Sequence, residues 1–283
     1  MERDELLAAG DRNLAAVLRL YARTAPGAAA DDDGRVLLVS TSPRWPGQYH
    51  NGAVRLDPAV APSEVLGRAE AFFSGRTPGF CVWIAAHADG DLELAALAAG
   101  YAAVSDTGTP RMALAHPLAP AEAPPGVALD EVVDEAGRRA YLAVTVEAYA
   151  DSFLSPDAAE AQLASVEAVH GPGVRAVVAR LEGRPVAGAM VVGGGGVAGI
   201  QLVGTVPDAR GRGLGELCTR WAANAGFALG APAVVLEASE AGEPLYRRMG
   251  FTEVSRYRWC FGPPGPGAAA SASPAPDASR PRR

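Results

Sequence analysis

Residues 202–229 read LVGTVPDARGRGLGELCTRWAANAGFAL: an apolar β-rich segment, a proline-containing turn, a loop of arginine and glycine, and then an amphipathic helical pattern. The first N–H groups of a helix have no intrahelical acceptor, and the helix dipole adds positive charge at the same end. A loop that leads directly into a helix is therefore suited to hold an anion. The stretch predicts a phosphate-binding loop between a strand and a helix.

The residue types of this loop support the same interpretation. Gly211, Gly213 and Gly215 have no Cβ atom that would keep a ligand away from the backbone, and they permit unusual φ/ψ angles. Arg210 and Arg212 add positive charge and fork-shaped hydrogen-bond donors. The helix that follows has one apolar face, which can lie on a sheet and hold the loop rigidly.

Composition limits the classes of protein to which the chain can belong. Its 283 residues suffice for two ordinary domains, and its composition is typical of a soluble globular protein. A net charge of −7 argues against nucleic acid as a partner. All 25 basic residues are Arg, which excludes a Walker-type phosphate loop and Schiff-base chemistry, because both need Lys.

The distribution of Cys and His predicts a cytoplasmic protein without metal. Cys81, Cys218 and Cys260 are odd in number and far apart, so neither a disulfide framework nor a zinc site is expected. The four His residues lack ligand spacing. The N-terminal residues lack a signal-peptide pattern. Residues 186–206 carry no charge, but glycines at 193–196 interrupt them, which favours a β-hairpin over a membrane span.

The two halves of the chain repeat one order of elements. In the second half a strand (198–206), a helix (213–229), a strand (233–238) and a short helix (241–249) precede Gly250-Phe251. In the first half a strand near 49–56, a helix from Pro62, a buried strand (80–86) and a short helix (91–99) precede Gly100-Tyr101. This order predicts an internal duplication, with chance similarity as the alternative.

The fold class expected is α/β, with two domains that each have a central, mostly antiparallel mixed sheet flanked by helices. The predicted divisions are a degenerate copy at 1–118, a Pro/Ala-rich linker at 119–126, a catalytic domain at 127–262 and a disordered tail at 263–283. Within them we expect a turn at 43–47, a loop at 25–34, helices at 134–149 and 156–170, and a hairpin turn at 182–184. The first copy reads DPAVAPSEVLG at 57–67, without the glycines and arginines of the loop, so one cofactor per chain is expected.

Two motifs carry a family resemblance. The run from Arg210 to Gly215 matches the Arg/Gln-x-x-Gly-x-Gly/Ala loop of the GCN5-related N-acetyltransferases, the GNAT superfamily, and PLYRRMGF at 244–251 resembles that family's second signature. The resemblance covers 127–261, and the first half is similar only as a degenerate copy of the tandem type. It implies acetyl-CoA or a related acyl-CoA as donor, with its pyrophosphate on the loop and its pantetheine beside the strand that ends at Val206. The cofactor-binding residues it implies are Gly204, Thr205, Val206, Arg210, Gly211, Arg212, Gly213, Leu214, Gly215, Glu216 and Ser239.

Two side chains are candidates for catalysis. Tyr246 matches the position that protonates the leaving thiolate in many family members, although it could instead pack the short helix on the sheet. Glu237 could deprotonate the acceptor amine, or it could be a salt-bridge partner of Arg247 or Arg248. Ser239 stands where many relatives carry Asn, and its hydroxyl could still bind the pantetheine.

The resemblance thus implies an N-acetyltransferase that moves an acetyl group from acetyl-CoA to a primary amine of a small molecule or peptide, in a monomer or homodimer. A non-catalytic acyl-CoA-binding or regulatory module is the alternative, and a structural protein is a third reading. The acceptor is expected near acidic residues on the first two helices of the second domain, with the first domain forming one side of the cleft. The residues named for this region are Glu147, Asp151, Phe153, Asp157 and Glu160.

Overall fold

The computed structural model describes residues 1–41, 51–77, 79–150 and 154–262. The helices in these ranges are α1 (Arg3–Thr24), α2 (Pro62–Phe73), α3 (Gly90–Ala98), α4 (Glu135–Ala148), α5 (Pro156–Gln162), α6 (Leu214–Ala228) and α7 (Glu243–Arg248). The strands are β1 (Ala29–Asp32), β2 (Val36–Ser40), β3 (Asn51–Arg55), β4 (Cys81–Ala85), β5 (Ala102–Ala103), β6 (Thr109–Leu114), β7 (Val127–Glu131), β8 (Val174–Leu181), β9 (Arg184–Gly194), β10 (Val197–Thr205), β11 (Val234–Glu237) and β12 (Thr252–Phe261).

These strands form one mixed sheet flanked by helices. Its order is β1-β2-β3-β4-β12-β6-β11-β10-β9-β8-β7, and the short β5 pairs with β12. Neighbours are antiparallel except for two parallel pairs, β3 with β4 and β10 with β11. Each parallel pair belongs to one half of the chain and is linked by one helix, α2 or α6. The mixed α/β class is therefore confirmed, and the repeated order agrees with an internal duplication.

The two halves exchange their last strands at the centre of the sheet. β6, from the first half, pairs with β11 of the second half, and β12, from the second half, pairs with β4 of the first. β6 and β12 also pair with each other. Each strand thereby covers an edge that the other half would otherwise expose. No strand was expected from the sequence at 109–114, where β6 lies.

Two hairpins in the second half form as predicted. Glu182 and Gly183 have φ values of 49° and 80°, and this pair of positive angles suits the two-residue turn that joins β8 and β9. Gly195 and Gly196 make the corresponding turn between β9 and β10. The uncharged run 186–206 is therefore a β-hairpin. In the described part of the chain, no helix is both long enough and apolar enough to cross a membrane.

Two predictions of local structure are wrong. The segment 25–34, predicted as a loop, contains the edge strand β1, whose polar residues stay exposed while its backbone pairs with β2. The helix predicted at 156–170 ends at Gln162, because Ser165 adopts an extended conformation before a single 3₁₀ turn. The turn at 43–47 and the tail at 263–283 lie outside the described residues.

Helices α1 and α6 position the site on the sheet. The apolar face of α6 is buried against β8, β9 and β10 through Leu214, Cys218 and Ala222. Helix α1, from the first half, packs against β9 and β10 of the second half as well as β2 of its own. The side of α1 that carries Leu14, Leu18 and Tyr21 is buried. A helix of the first half therefore lies beside the end of β10, where the candidate site forms.

Candidate active site

The strands β10 and β11 separate at their carboxyl ends. They pair in parallel from Ala198 to Ile200 with Val234 to Leu236, and beyond this point β11 continues beside β6. β10 instead bends through a bulge against β9, between Gln201 and Gly204. The result is a wedge-shaped opening at the carboxyl ends of two parallel strands, which is where open α/β sheets bind ligands.

Two tyrosines hold the bulge in place: Tyr141 lies in helix α4, and Tyr149 directly follows that helix. Leu202 has a φ of 49°, which is uncommon for a residue with a branched side chain. The hydroxyl of Tyr141 donates to the carbonyl oxygen of Leu202 at 3.0 Å, and the hydroxyl of Tyr149 donates to that of Val203 at 3.0 Å. Burial raises the pKa of Tyr141 well above its usual value, so this donor stays protonated. The backbone beside the opening is therefore fixed in orientation.

The arginine and glycine loop forms the outer edge of the opening. Gly211 and Gly213 have φ values of 75° and 77°, and nothing lies within 4 Å of where a Cβ atom would stand. Glycine is therefore required there for backbone conformation rather than for space. The first backbone hydrogen bond of helix α6 runs from Leu217 N to Gly213 O at 3.0 Å. Among the described residues, the backbone N–H groups from Gly211 to Glu216 have no backbone acceptor, which leaves them available to an anion at the positive end of α6.

Arg210 braces this loop. Its side chain is exposed, and it donates to the carbonyl oxygens of Thr205 and Ala148, both at 3.2 Å. The start of α6 lies against the end of β10, since a Cβ atom on Gly215 would be 3.4 Å from Thr205 Oγ1, an ordinary van der Waals distance. The loop, β10 and α4 are thus tied together on one side of the opening.

Tyr246 lies on helix α7, on the opposite side of the opening. Its ring packs edge-to-face on Phe251, with 5.9 Å between centroids, and only 8% of the residue is exposed. Burial raises the pKa of Tyr246 to about 12, and a hydrogen bond with Thr219 offsets this only in part. The side chain packs the helix, as one of the two sequence-based interpretations proposed, and it also lines a cavity at the opening. Its phenol remains a proton donor at neutral pH.

Glu237 forms an ion pair with a residue of the first half. Its Oε1 accepts from Arg111 Nε at 2.8 Å and from Nη2 at 2.6 Å. The predicted salt bridge between Glu237 and Arg247 does not form, because Arg247 pairs with Glu243 and Glu253. The register explains the difference, because Glu237 on β11 lies directly opposite Arg111 on the exchanged strand β6.

Arg111 is itself enclosed by α1 and β12. Its side chain is 1% exposed, and its guanidinium lies 4.2 Å from the ring centroid of Tyr257. Nη1 donates to Asp11 at 3.0 Å. Helix α1 comes so close that a Cβ atom on Gly10 would lie 2.6 Å from the same Nη1. Nothing local in the sequence indicates this buried arginine, since all its partners come from other elements.

These elements enclose a cavity of about 860 Å³. It brings together all of the predicted site residues except Val206, which is buried in the core, and Arg212, which is exposed. Ser239 lines it too, while its Oγ accepts from the N–H of Gly242 at 3.2 Å. The first half contributes lining residues that were not expected from the sequence, which are Leu14, Val17, Leu18, Tyr21, Trp83 and Thr109.

The predicted acidic surroundings of the acceptor are wrong. Glu147, Asp157 and Glu160 are exposed and do not line the cavity. Asp151 and Phe153 lie outside the described residues. Helix periodicity cannot distinguish a carboxylate facing a cleft from one facing solvent, and here the apolar face of α4 turns toward the site.

At the corresponding end of β3 and β4 in the first half, a buried arginine lies beside a second cavity of about 690 Å³. Arg55, at the end of β3, donates to Asp89 at 2.8 Å and to Asp91 at 2.6 Å, and its side chain is 1% exposed. It also donates to the carbonyl oxygens of Val60 and Ala88. Helix α2 begins with Pro62, which has no N–H to offer an anion. Within the described residues, the first half therefore lacks the cradle that the second half has.

The comparisons with known proteins agree with this geometry. A model of the acetyltransferase (GNAT) domain family matches residues 172–253, whereas a search of curated proteins returns no match. The fold resembles that of a GCN5-related N-acetyltransferase from Kribbella flavida, with 23% identity, a TM-score of 0.67 and coverage of 90% of this chain and 96% of that one. It also resembles a tandem GNAT protein from the clavulanic acid biosynthesis pathway, with 17% identity, a TM-score of 0.57 and coverage of 94% and 95%.

A third similar structure is a GCN5-related N-acetyltransferase from Sphaerobacter thermophilus, with 16% identity, a TM-score of 0.57 and coverage of 82% of this chain and 80% of that one. At these identities the similar structures support only the fold. The family model identifies the domain that contains the loop and Tyr246. Residues 172–253 thus match the acetyltransferase (GNAT) domain family, and the fold of the chain is like that of a tandem GNAT protein.

Proposed function

We propose that this chain is an acyl-CoA-dependent N-acetyltransferase whose chemistry is carried by residues 127–262. The observation that supports this most directly is the wedge between β10 and β11, with free N–H groups at its outer edge and Tyr246 inside it. We further propose that 1–118 is a non-catalytic copy, joined by 119–126, and that the protein acts in the cytoplasm. The three cysteines are free and buried, in keeping with a reducing compartment.

Acetyl-CoA is the proposed donor substrate. Its pyrophosphate would lie on the N–H groups from Gly211 to Glu216, where the helix dipole adds to the attraction. Its pantetheine would occupy the wedge beside Gly204 and Thr205, and Ser239 would donate to it from the opposite side. A main-chain N–H at the bulge would bind the thioester carbonyl oxygen and stabilise the charge that develops there.

The reaction we propose is direct transfer. The neutral amine nitrogen attacks the thioester carbonyl carbon, a C–N bond forms, and the C–S bond breaks as the thiolate leaves. Tyr246 gives its proton to the thiolate, and the proton lost by the nitrogen goes to Glu237, directly or through water. Arg111 holds one oxygen of Glu237 with two hydrogen bonds and leaves Oε2 for the amine.

Replacing the phenol tests the proposed role of Tyr246. Tyr246→Phe keeps the ring contact with Phe251 and removes the proton, so we expect kcat to fall by about 10²-fold or more with both substrates saturating. The measurement is the initial rate of thiol release from acetyl-CoA. Because the pKa is raised to about 12, ionisation of Tyr246 should not reduce the wild-type rate between pH 7 and about 10.

Tyr101→Phe is the matched control, because Tyr101 is also a buried hydrogen-bonded tyrosine but does not line the cavity. It should leave kcat within about twofold of wild type. An unchanged kcat in Tyr246→Phe would show that another group protonates the thiolate. Thermal stabilisation by CoA without thiol release for any amine would instead favour the non-catalytic acyl-CoA-binding module.

A further inference from the structure

We infer that the acceptor is a singly charged amine with an apolar, preferably aromatic, body, and that helix α1 of the first half selects it. This inference rests on the proposed function, because it assigns the part of the same cavity that the donor leaves open. The proposed donor occupies one end of the cavity, which is formed by the loop and the wedge. Its other end is formed by the first half and by the exchanged strand β12.

Helix α1 gives this end an apolar wall. Leu14, Val17, Leu18 and Tyr21 line the cavity at the spacing i, i+3, i+4 and i+7, which is one face of a helix. Each is at most 4% exposed. The hydroxyl of Tyr21 is the one polar group on this face, and burial raises its pKa far above the usual value, so it stays neutral. The wall can therefore contact hydrocarbon but offers no charge to a second cationic group.

Two tryptophans complete the wall. Trp83 on β4 and Trp259 on β12 lie opposite each other in the register, with ring centroids 5.4 Å apart in an edge-to-face arrangement. Both line the cavity. A further aromatic ring packed against such a pair gains interaction free energy in addition to that from the apolar area it buries. The two tryptophans are in contact because β12 pairs with β4 of the first half. This part of the apolar wall therefore depends on the strand exchange.

The charged residues that line the cavity indicate where the amine of the acceptor would bind. Among the described residues that line it, the charged ones are Arg210, Glu216, Glu237 and Arg248. Arg210 and Glu216 belong to the phosphate loop, where Glu216 pairs with Arg220 at 2.7 Å. Glu237 is thus the carboxylate at the end of β11, next to the apolar wall. An ammonium group at Glu237 would leave the rest of the acceptor against α1 and the tryptophans.

The same arrangement disfavours other occupants. A polyamine or a basic peptide would bury a second cation against α1 without a partner, which carries a large desolvation cost. A long acyl chain in this place would leave Glu237 Oε2, which Arg111 does not bind, facing hydrocarbon without a donor. The bound ammonium first gives one proton to solvent through Glu237. The neutral nitrogen then forms the new C–N bond, the C–S bond breaks, and the nitrogen loses a second proton to Glu237 as the thiolate gains one from Tyr246.

A panel of amines tests the inference with the full chain and acetyl-CoA. We expect kcat/KM for thiol release to be at least about 100-fold higher for 2-phenylethylamine than for ethanolamine, and spermidine to be no better than ethanolamine. Comparable rates for ethanolamine or a preference for spermidine would overturn the inference and leave the proposed function intact. No amine-dependent release from any acyl-CoA would overturn both.

The donor is varied in a second arm. Octanoyl-CoA should be a poorer donor than acetyl-CoA with 2-phenylethylamine as acceptor. A preference for octanoyl-CoA together with insensitivity to the size of the amine would assign the apolar wall to the acyl chain and overturn the inference.

Two leucines of α1 provide matched variants. Leu18→Ala removes part of the wall, whereas Leu20→Ala removes an equally buried leucine that does not line the cavity. We expect Leu18→Ala to lower the ratio of kcat/KM for 2-phenylethylamine to that for ethanolamine by about 10-fold. Leu20→Ala should keep this ratio within about twofold even if both variants lose stability. Equal changes in the two variants would contradict selection by α1.

Discussion

At the scale of single residues, the buried ion pair between Arg111 and Glu237 connects the two halves at the candidate site. Arg111 is 1% exposed and faces two carboxylates, from Asp11 and Glu237. Removing one partner of a buried pair leaves an unpaired charge and costs far more than the net gain from forming the pair. Arg111 therefore matters for stability as well as for the orientation of Glu237.

Arg111→Met should reduce the free energy of unfolding by about 3–5 kcal/mol, because the largely buried Glu237 would have no cation and the partly buried Asp11 would lose one of its partners. Denaturant unfolding of the variant measures this loss. Arg247→Met is the control, since Arg247 is 48% exposed in its pairs with Glu243 and Glu253, and it should lose no more than about 1 kcal/mol. Adding Glu237→Gln to Arg111→Met should recover part of the loss; a strictly additive double variant would argue against the pair.

At the scale of elements, helix α6 is bounded by glycines at both ends. Gly213 precedes the helix and Gly230 follows it, with φ values of 77° and 87°, and nothing lies within 4 Å of either Cβ position. A side chain at either position would therefore meet conformational strain but no clash. Only Gly213 belongs to the proposed phosphate cradle, so the two positions separate stability from binding.

Gly213→Ala and Gly230→Ala should each cost about 1–2 kcal/mol of stability, because alanine disfavours the left-handed region. Only Gly213→Ala turns the N–H groups of the loop away from the pyrophosphate, and we expect it to raise KM for acetyl-CoA by about 10-fold. Steady-state kinetics at a saturating amine concentration give this value for both variants. If Gly230→Ala raised KM to the same extent, the effect would come from the helix as a whole rather than from the loop.

At the scale of the whole molecule, the exchanged strands make each half incomplete. β12 lies between β4 and β6, and β6 also pairs with β11, so the second half alone would leave both edges of β12 and one edge of β11 unpaired. The same fragment would lack α1, Trp83 and Arg111, which line or support the cavity. The proposed catalytic part thus depends on the first half for both folding and substrate contact.

Residues 127–262 produced alone should therefore be aggregated or unfolded, whereas the full chain should unfold in one cooperative transition. Circular dichroism and size-exclusion chromatography compare the two. Co-production with 1–126 should restore a folded complex that CoA stabilises against heat. A separately folded, monomeric 127–262 with wild-type thiol release would contradict this dependence.

The sequence alone determined the features of this protein that depend on neighbouring residues. The loop from Arg210 to Gly215, the start of α6 and the hairpin at 182–184 follow from glycine conformation, helix end effects and alternating polarity, which act within a few residues. The parallel strand–helix–strand unit follows from the same local patterns. These are also the features that carry the family resemblance.

Only the tertiary structure decided which distant segments meet. Arg111 and Glu237 are paired because β6 crosses to the second half, and the apolar face of α1 both joins the core and lines the cavity. The acidic residues of α4 and α5 stayed on the surface for the same reason. Strand partners and helix docking are set by long-range burial and register, and a local pattern shows that a face is apolar but not what will cover it.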